Sequence, residues 1–230
     1  MGGRKPEHVP RSPRNHSYLL FELTSRCQNS CVFCYNVWKE VPEYPAGELD
    51  AAGTIAVADR VIDETGCGFI GLTGGEPLLN DGVVEITAHV ASRGVKPILI
   101  SNGKLLSRTM VERLVEAGMH HFEVSLHSDQ EAVHDQLAGR RGSFGEALDA
   151  VLNVKALGGM VNTVFVATRH NVDRFSEYVK LNALLRTDWI LFNRVACGGS
   201  GIARFAELAP PPEQIMSALV AAAPLAERYR

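Results

Sequence analysis

The stretch "ELTSRCQNSCVFCYNVW", residues 22–38, gathers three of the chain's five cysteines, Cys27, Cys31 and Cys34, within eight positions. A structural zinc site normally takes four protein ligands. An iron–sulfur cube held entirely by protein likewise takes four thiolates. Cys67 and Cys197 lie far from this loop in sequence. Three local thiolates on a cube leave one iron open, and an open metal position binds something exchangeable. The short gaps suit a loop wrapped around one compact cluster. The alternative is a zinc site completed by a distant histidine or cysteine.

Working outward, strand-like and helix-like segments alternate along almost the whole chain. "YLLFEL" (18–23) has the length of a buried strand and runs into the cysteine loop. "ELDAAGTIAVADRVIDETG" (48–66) reads as a helix. Asp50 is its N-cap, Ile55, Ala58, Val61 and Ile62 recur at helical spacing, and Gly66 stops it. Further strands are expected at 67–75, 96–103, 120–128, 161–168 and 189–195. Helices are expected at 82–94, at 107–118 with Ser107 as N-cap, at 143–158 and at 172–186. A polar stretch separates the fourth strand from the helix at 143. A last helix begins near the prolines at 210–212. Six strands alternating with helices predict parallel pairing in an α/β sheet or barrel. In such architectures the chemistry sits on loops at the C-terminal ends of strands. The cysteines, "TGGEP", "SNG" and "SLHS" all fall at such ends.

Composition narrows the class. The 230 residues carry 23 basic and 26 acidic side chains, a net charge of -3, with 46% apolar residues. That is a globular composition with no basic field directed at nucleic acid. The first sixteen residues are basic and proline-bearing, lack an apolar signal region, and read as a flexible arm. No apolar run approaches the ~20 residues of a membrane span. An odd cysteine count, with three of the five crowded into one loop, argues against a disulfide scaffold and for a metal site in a reducing cytoplasm.

"CQNSCVFC" resembles the CxxxCxΦC signature of the radical S-adenosylmethionine (radical SAM) enzymes, with Phe33 at the aromatic position. "GGEP" at 74–77 is similar to the family's second motif. "VSLHSDQEAVHDQLAGRRGSF" and "FVATRHN" resemble the core of the subgroup that includes peptide and protein maturases. The resemblance runs from about Tyr18 to the end. It implies a partial (β/α)6 barrel with parallel strands, a [4Fe-4S] cluster on Cys27, Cys31 and Cys34, and S-adenosylmethionine chelating the open iron. It further implies reductive cleavage to a 5′-deoxyadenosyl radical, which takes a hydrogen atom from a peptide or protein substrate. An electron donor such as flavodoxin or ferredoxin would feed the cluster.

By the same resemblance, Gly74, Gly75 and Glu76 would receive the cofactor's methionine ammonium, and Pro77 would fix the exit of the turn. Phe33 would pack near adenine. The resemblance implies a cofactor contact for Ser125. Ser101 and Asn102 end the third strand with hydroxyl and amide groups suited to ribose or carboxylate, although Asn-Gly is also a common turn pair. His127 stands where relatives more often have Asp, and is either a substrate contact or a satisfied structural histidine. Many relatives carry an arginine at the position of Ala138, where it meets the cofactor carboxylate; Arg140 or Arg141 is the candidate replacement. Tyr35 and Trp38 would shield the cluster or simply pack. His120 and His121 read as a solvated loop edge, Cys67 as a small buried hydrophobe, and Cys197 as incidental to a glycine loop. No residue is assigned to catalysis.

The domain reading is an arm at 1–16, the radical SAM core at 17–205, and a C-terminal helix at 206–230. That helix is where relatives continue into an extension binding auxiliary clusters, so a fragment of a longer protein is expected. Two other readings stand beside the peptide maturase. One is a radical SAM enzyme of cofactor or modified-nucleoside biosynthesis. The other is a zinc- or cluster-bearing binding module.

Overall fold

The computed structural model describes residues 18–37 and 47–229. The expected arm at 1–16 and Trp38 lie outside the described residues. Six strands, β1 (Tyr18–Thr24), β2 (Phe69–Gly74), β3 (Lys96–Ser101), β4 (His121–Ser125), β5 (Val161–Ala167) and β6 (Trp189–Arg194), form one sheet in sequence order. Every neighbouring pair is parallel. β1 and β6 are the two edges. The α/β architecture of parallel strands is thus the one expected.

The helices that carry the chain between strands are α1 (Ala51–Thr65), α2 (Val83–Ser92), α3 (Arg108–Glu116), α4 (Glu131–Ala138), α5 (Ser143–Ala156) and α6 (Phe175–Leu185). Their ends follow the local chemistry. The Asp50 side chain accepts from the Gly53 N–H, and the left-handed Gly66 closes α1. Ser107 accepts from the Met110 N–H at the start of α3. These caps satisfy backbone groups that a helix cannot pair internally.

α4 corrects the sequence reading, which took this region for a polar stretch. Its buried residues, His134, Leu137 and Ala138, sit at helical spacing, but only two of them are apolar. After β6 come two four-residue helices, α7 (Ser200–Ala203) and α8 (Phe205–Leu208), then the expected α9 (Pro212–Arg228). His121 also differs from expectation. It opens β4 and is buried rather than forming a solvated edge.

The two faces of the sheet differ in kind. Ile70 and Leu72 of β2, Leu99 of β3, Phe122 and Val124 of β4 and Phe165 of β5 join the main apolar core under the helices. The alternate residues Thr73, Ile100, Glu123, Ser125, Val164 and Val166 line a cavity on the other face. A parallel sheet buried on both faces would be continuously apolar. Here the polar alternation marks the inner face as a cavity wall.

Candidate active site

The cavity has a volume of about 1300 Å³. Single drug-sized ligands occupy sites of roughly 300–1,000 Å³, so there is room for a nucleoside cofactor and part of a substrate. Cys27, Cys31 and Cys34 line it, half-buried and not disulfide-bonded. Among the described residues no three His, Cys, Asp or Glu side chains converge as around a single metal ion.

The backbone before Cys27 is gripped by the glycine turn after β2. Gly75 N–H donates to Thr24 O at 2.7 Å, and Glu76 N–H donates to Arg26 O at 2.8 Å. A Cβ on Gly74, whose φ is +126°, would fall 2.4 Å from Thr24 O, and one on Gly75 would fall 2.2 Å from Arg26 O. Only glycine lets the two backbones come this close. On the far side of the motif, Gly201 N–H donates to Cys34 O at 3.3 Å.

Gly74, Gly75, Ser101, Asn102, Ser125 and Phe33 share the cavity wall with the three thiols. Ser125 is the last residue of β4, and His127 follows beyond it; both still face the cavity. The structure does not bring Glu76 and Pro77 to that wall. Glu76 is fully buried, and its carboxylate accepts from Ser101 Oγ at 2.9 Å, Asn102 N–H at 2.8 Å and Leu78 N–H at 3.3 Å. Burial pushes this carboxyl up to about 7, against the pull of those three donors. Pro77 is buried at the start of a 3-10 turn over Pro77–Leu79. Glu76 therefore ties the GGEP turn to the end of β3. Asn102, held by it, directs its side-chain amide to Cys27 Sγ at 3.8 Å.

Phe33 packs edge-on to His127 with ring centroids 4.8 Å apart. His127 stacks on His134 at 5.5 Å. The His127 N–H donates to His134 Nδ1 at 3.0 Å, so neutral His134 carries its proton on Nε2. Burial pushes both imidazoles below their usual range, His134 to about 4. His127 is accordingly a buried, packed residue that also faces the cavity.

Arg140 does not line the cavity as Ala138 does. Its guanidinium donates to Asn29 Oδ1 at 2.6 Å and pairs with Glu146. Tyr35 and Cys197 are exposed and lie on the cavity wall, and Cys67 is buried as expected.

Asn36 was missed by sequence reasoning. Its amide donates to Gly74 O at 2.8 Å, and its buried Oδ1 has no hydrogen-bond partner among the described residues. No spacing rule marks a lone asparagine two residues past a cysteine. A buried acceptor without a donor is costly. Asn36 therefore gives this wall an acceptor suited to an ammonium. Three thiols outside any disulfide, half-exposed and on one loop, fit an iron–sulfur cluster with one iron left for a ligand. The residues present thus fit both groups.

Comparison with known proteins agrees with this architecture. The family model of the radical SAM superfamily matches residues 21–181. The chain belongs to the radical SAM superfamily. It is 32% identical over 211 residues to a PqqA peptide cyclase of Methylocella silvestris, covering 92% of this chain and 56% of that protein. Streptococcus suis SuiB bound to the precursor peptide SuiA superposes with a TM-score of 0.69 at 15% identity, over 80% of this chain and 40% of that one. anSMEcpe with bound AdoMet gives a TM-score of 0.62 at 18% identity, over 78% of this chain and 51% of that one. The chain spans about half the length of the PqqA peptide cyclase. Among the described residues no helix is long and apolar enough to cross a membrane.

Proposed function

We propose that this chain is the catalytic core of a radical SAM enzyme that modifies a peptide. The observation that carries the reading is the convergence on one cavity of three thiols outside any disulfide, the Gly74–Gly75 turn and the ends of β3 and β4. Cys27, Cys31 and Cys34 would hold the cluster. The inner-wall groups of Gly74, Asn36, Ser101, Asn102 and Ser125 would hold S-adenosylmethionine. When bound, cluster and cofactor together supply one-electron cleavage to a radical that takes hydrogen from the substrate.

The chain's own part is positioning and exclusion of water. Phe33 and His127 form a packed aromatic shoulder beside the cysteines. Ser101, Asn102 and Ser125 present hydroxyl and amide groups suited to ribose or carboxylate. The peptide class is supported by the likeness to a peptide cyclase. An electron donor of the flavodoxin or ferredoxin type belongs to the same proposal, as does a cytoplasmic location.

Anaerobic reconstitution tests the reading. The wild-type chain should take up iron and sulfide and, once reduced, release methionine and 5′-deoxyadenosine from S-adenosylmethionine. Cys31→Ala should lose the cluster and the cleavage together. A normal cluster spectrum in that variant, or zinc binding without cleavage in the wild type, would overturn the assignment. Peptide substrates would be sought by deuterium transfer into 5′-deoxyadenosine.

A further inference from the structure

The last turn of an α-helix leaves four carbonyls without partners inside the helix. In α4 these belong to Asp135, Gln136, Leu137 and Ala138. Asp135 O accepts from Arg140 N–H at 3.0 Å, and Gln136 O accepts from Gly139 N–H at 3.3 Å. With Gly139 left-handed at φ +65°, this is a Schellman closure, and it satisfies two of the four. The other two are taken from outside the helix. Leu137 O accepts from Val32 N–H at 3.0 Å, and Ala138 O accepts from Ser30 N–H at 3.2 Å.

Ser30 lies between Cys27 and Cys31, and Val32 lies between Cys31 and Cys34. Each gap of the cysteine motif is therefore pinned to the same helix end. A side-chain tether adds to this: Arg140 Nε donates to Asn29 Oδ1 at 2.6 Å while Glu146 holds the guanidinium from the other side. The fit is close. A Cβ on Gly139 would fall 2.2 Å from Ser30 O and 2.7 Å from the Ser30 carbonyl carbon.

We propose that the C-terminal turn of α4 is the template that shapes the cluster loop, with Gly139 and Arg140 as positioning residues for Cys27, Cys31 and Cys34. The inference rests on the reading of these cysteines as cluster ligands. Gly139 is required for two reasons: its left-handed backbone, and the approach of Ser30. Arg140 is committed to Asn29 and Glu146, so it acts on the loop and not on a ligand in the cavity.

The test compares wild type with Gly139→Ala, Arg140→Met, Asn29→Ala and the Arg140→Met/Asn29→Ala double variant. After anaerobic reconstitution, iron release to a chelator is timed, and amide exchange is followed over residues 27–34. Gly139→Ala should lose iron at least about tenfold faster, the scale seen when supports behind metal ligands are removed. Its exchange should rise over residues 27–34 while the sheet stays protected. Arg140→Met and Asn29→Ala should each speed iron loss less, and the double variant no more than either alone, because both cut one tether. Thermal melting of the cluster-free proteins separates local loosening from general unfolding. Should Gly139→Ala fail to fold, the Arg140–Asn29 cycle decides alone. Wild-type iron retention and exchange in the variants, or full additivity in that cycle, would overturn the proposal. If the wild-type chain binds no iron, the reading of the cysteines fails, whereas exchange over residues 27–34 still decides whether α4 orders the loop.

Discussion

Glu76 shows how one side chain of a recognisable motif can serve the protein before it serves a ligand. Its carboxylate accepts from Ser101, Asn102 and Leu78, and it is fully buried. Glu76→Ala would strand those donors, so the cluster-free protein should lose about 3 kcal/mol of stability, at ~1–3 kcal/mol per unsatisfied buried group. Urea unfolding without cluster or cofactor checks this, since a residue that only contacted cofactor would leave that stability unchanged. His134 makes a pH prediction. Burial lowers its pKa from 6.5 to about 4, so between those values the unfolded chain binds the extra proton. The stability it contributes is fully present above pH ~6.5 and is lost as pH falls toward ~4, on the order of 3 kcal/mol. His134→Gln should flatten the acid side of the stability curve, measured on cluster-free protein by urea unfolding at pH 7 and pH 5. Such roles are not legible in a sequence. "GGEP" and "HDQ" display the residue types, but which atoms they meet depends on how separate strands converge.

At the level of elements, the strands and most helices were legible because their period and punctuation agree. Asp50, Ser107 and Gly66 mark ends that the structure places within a residue of expectation. α4 was not legible for a physical reason. Its buried face includes His134, and its start at Gln130 has no side-chain cap. Its end is stabilised by Ser30 and Val32, about a hundred residues away in sequence, which no local window contains. Its companion α5 also starts on a borrowed group. Asp135 of α4 accepts from Gly142 N–H at 2.5 Å, Ser143 Oγ at 2.8 Å and Phe144 N–H at 2.9 Å, acting as an N-cap from another helix. Asp135→Ala should therefore cost about 1–2 kcal/mol, the scale of a lost N-cap. The Asp135→Asn variant, which keeps acceptor oxygens, should recover part of it in the same denaturation assay.

At the level of the molecule, parallel order and the position of the motif loops followed from the βα alternation alone. The cavity did not, because its wall is the face of the sheet whose side chains look least like a core: Thr73, Glu123 and Ser125. Among the described residues the sheet does not close: β1 and β6 each pair on one side only. Tyr18 and Leu20 at one edge and Asn193 and Arg194 at the other both border the cavity and are exposed.

A ring with a gap differs from a closed ring in what it can be threaded by. A polymer that must pass through the bore enters a closed barrel end first, whereas a barrel open along its side can receive the middle of a strand. For a peptide substrate, the modified residue need not lie near a terminus. Cyclising such a peptide head to tail, or fusing folded domains to both of its ends, should leave deuterium transfer into 5′-deoxyadenosine intact. Loss of transfer on closing the ends would show that entry is from the tip.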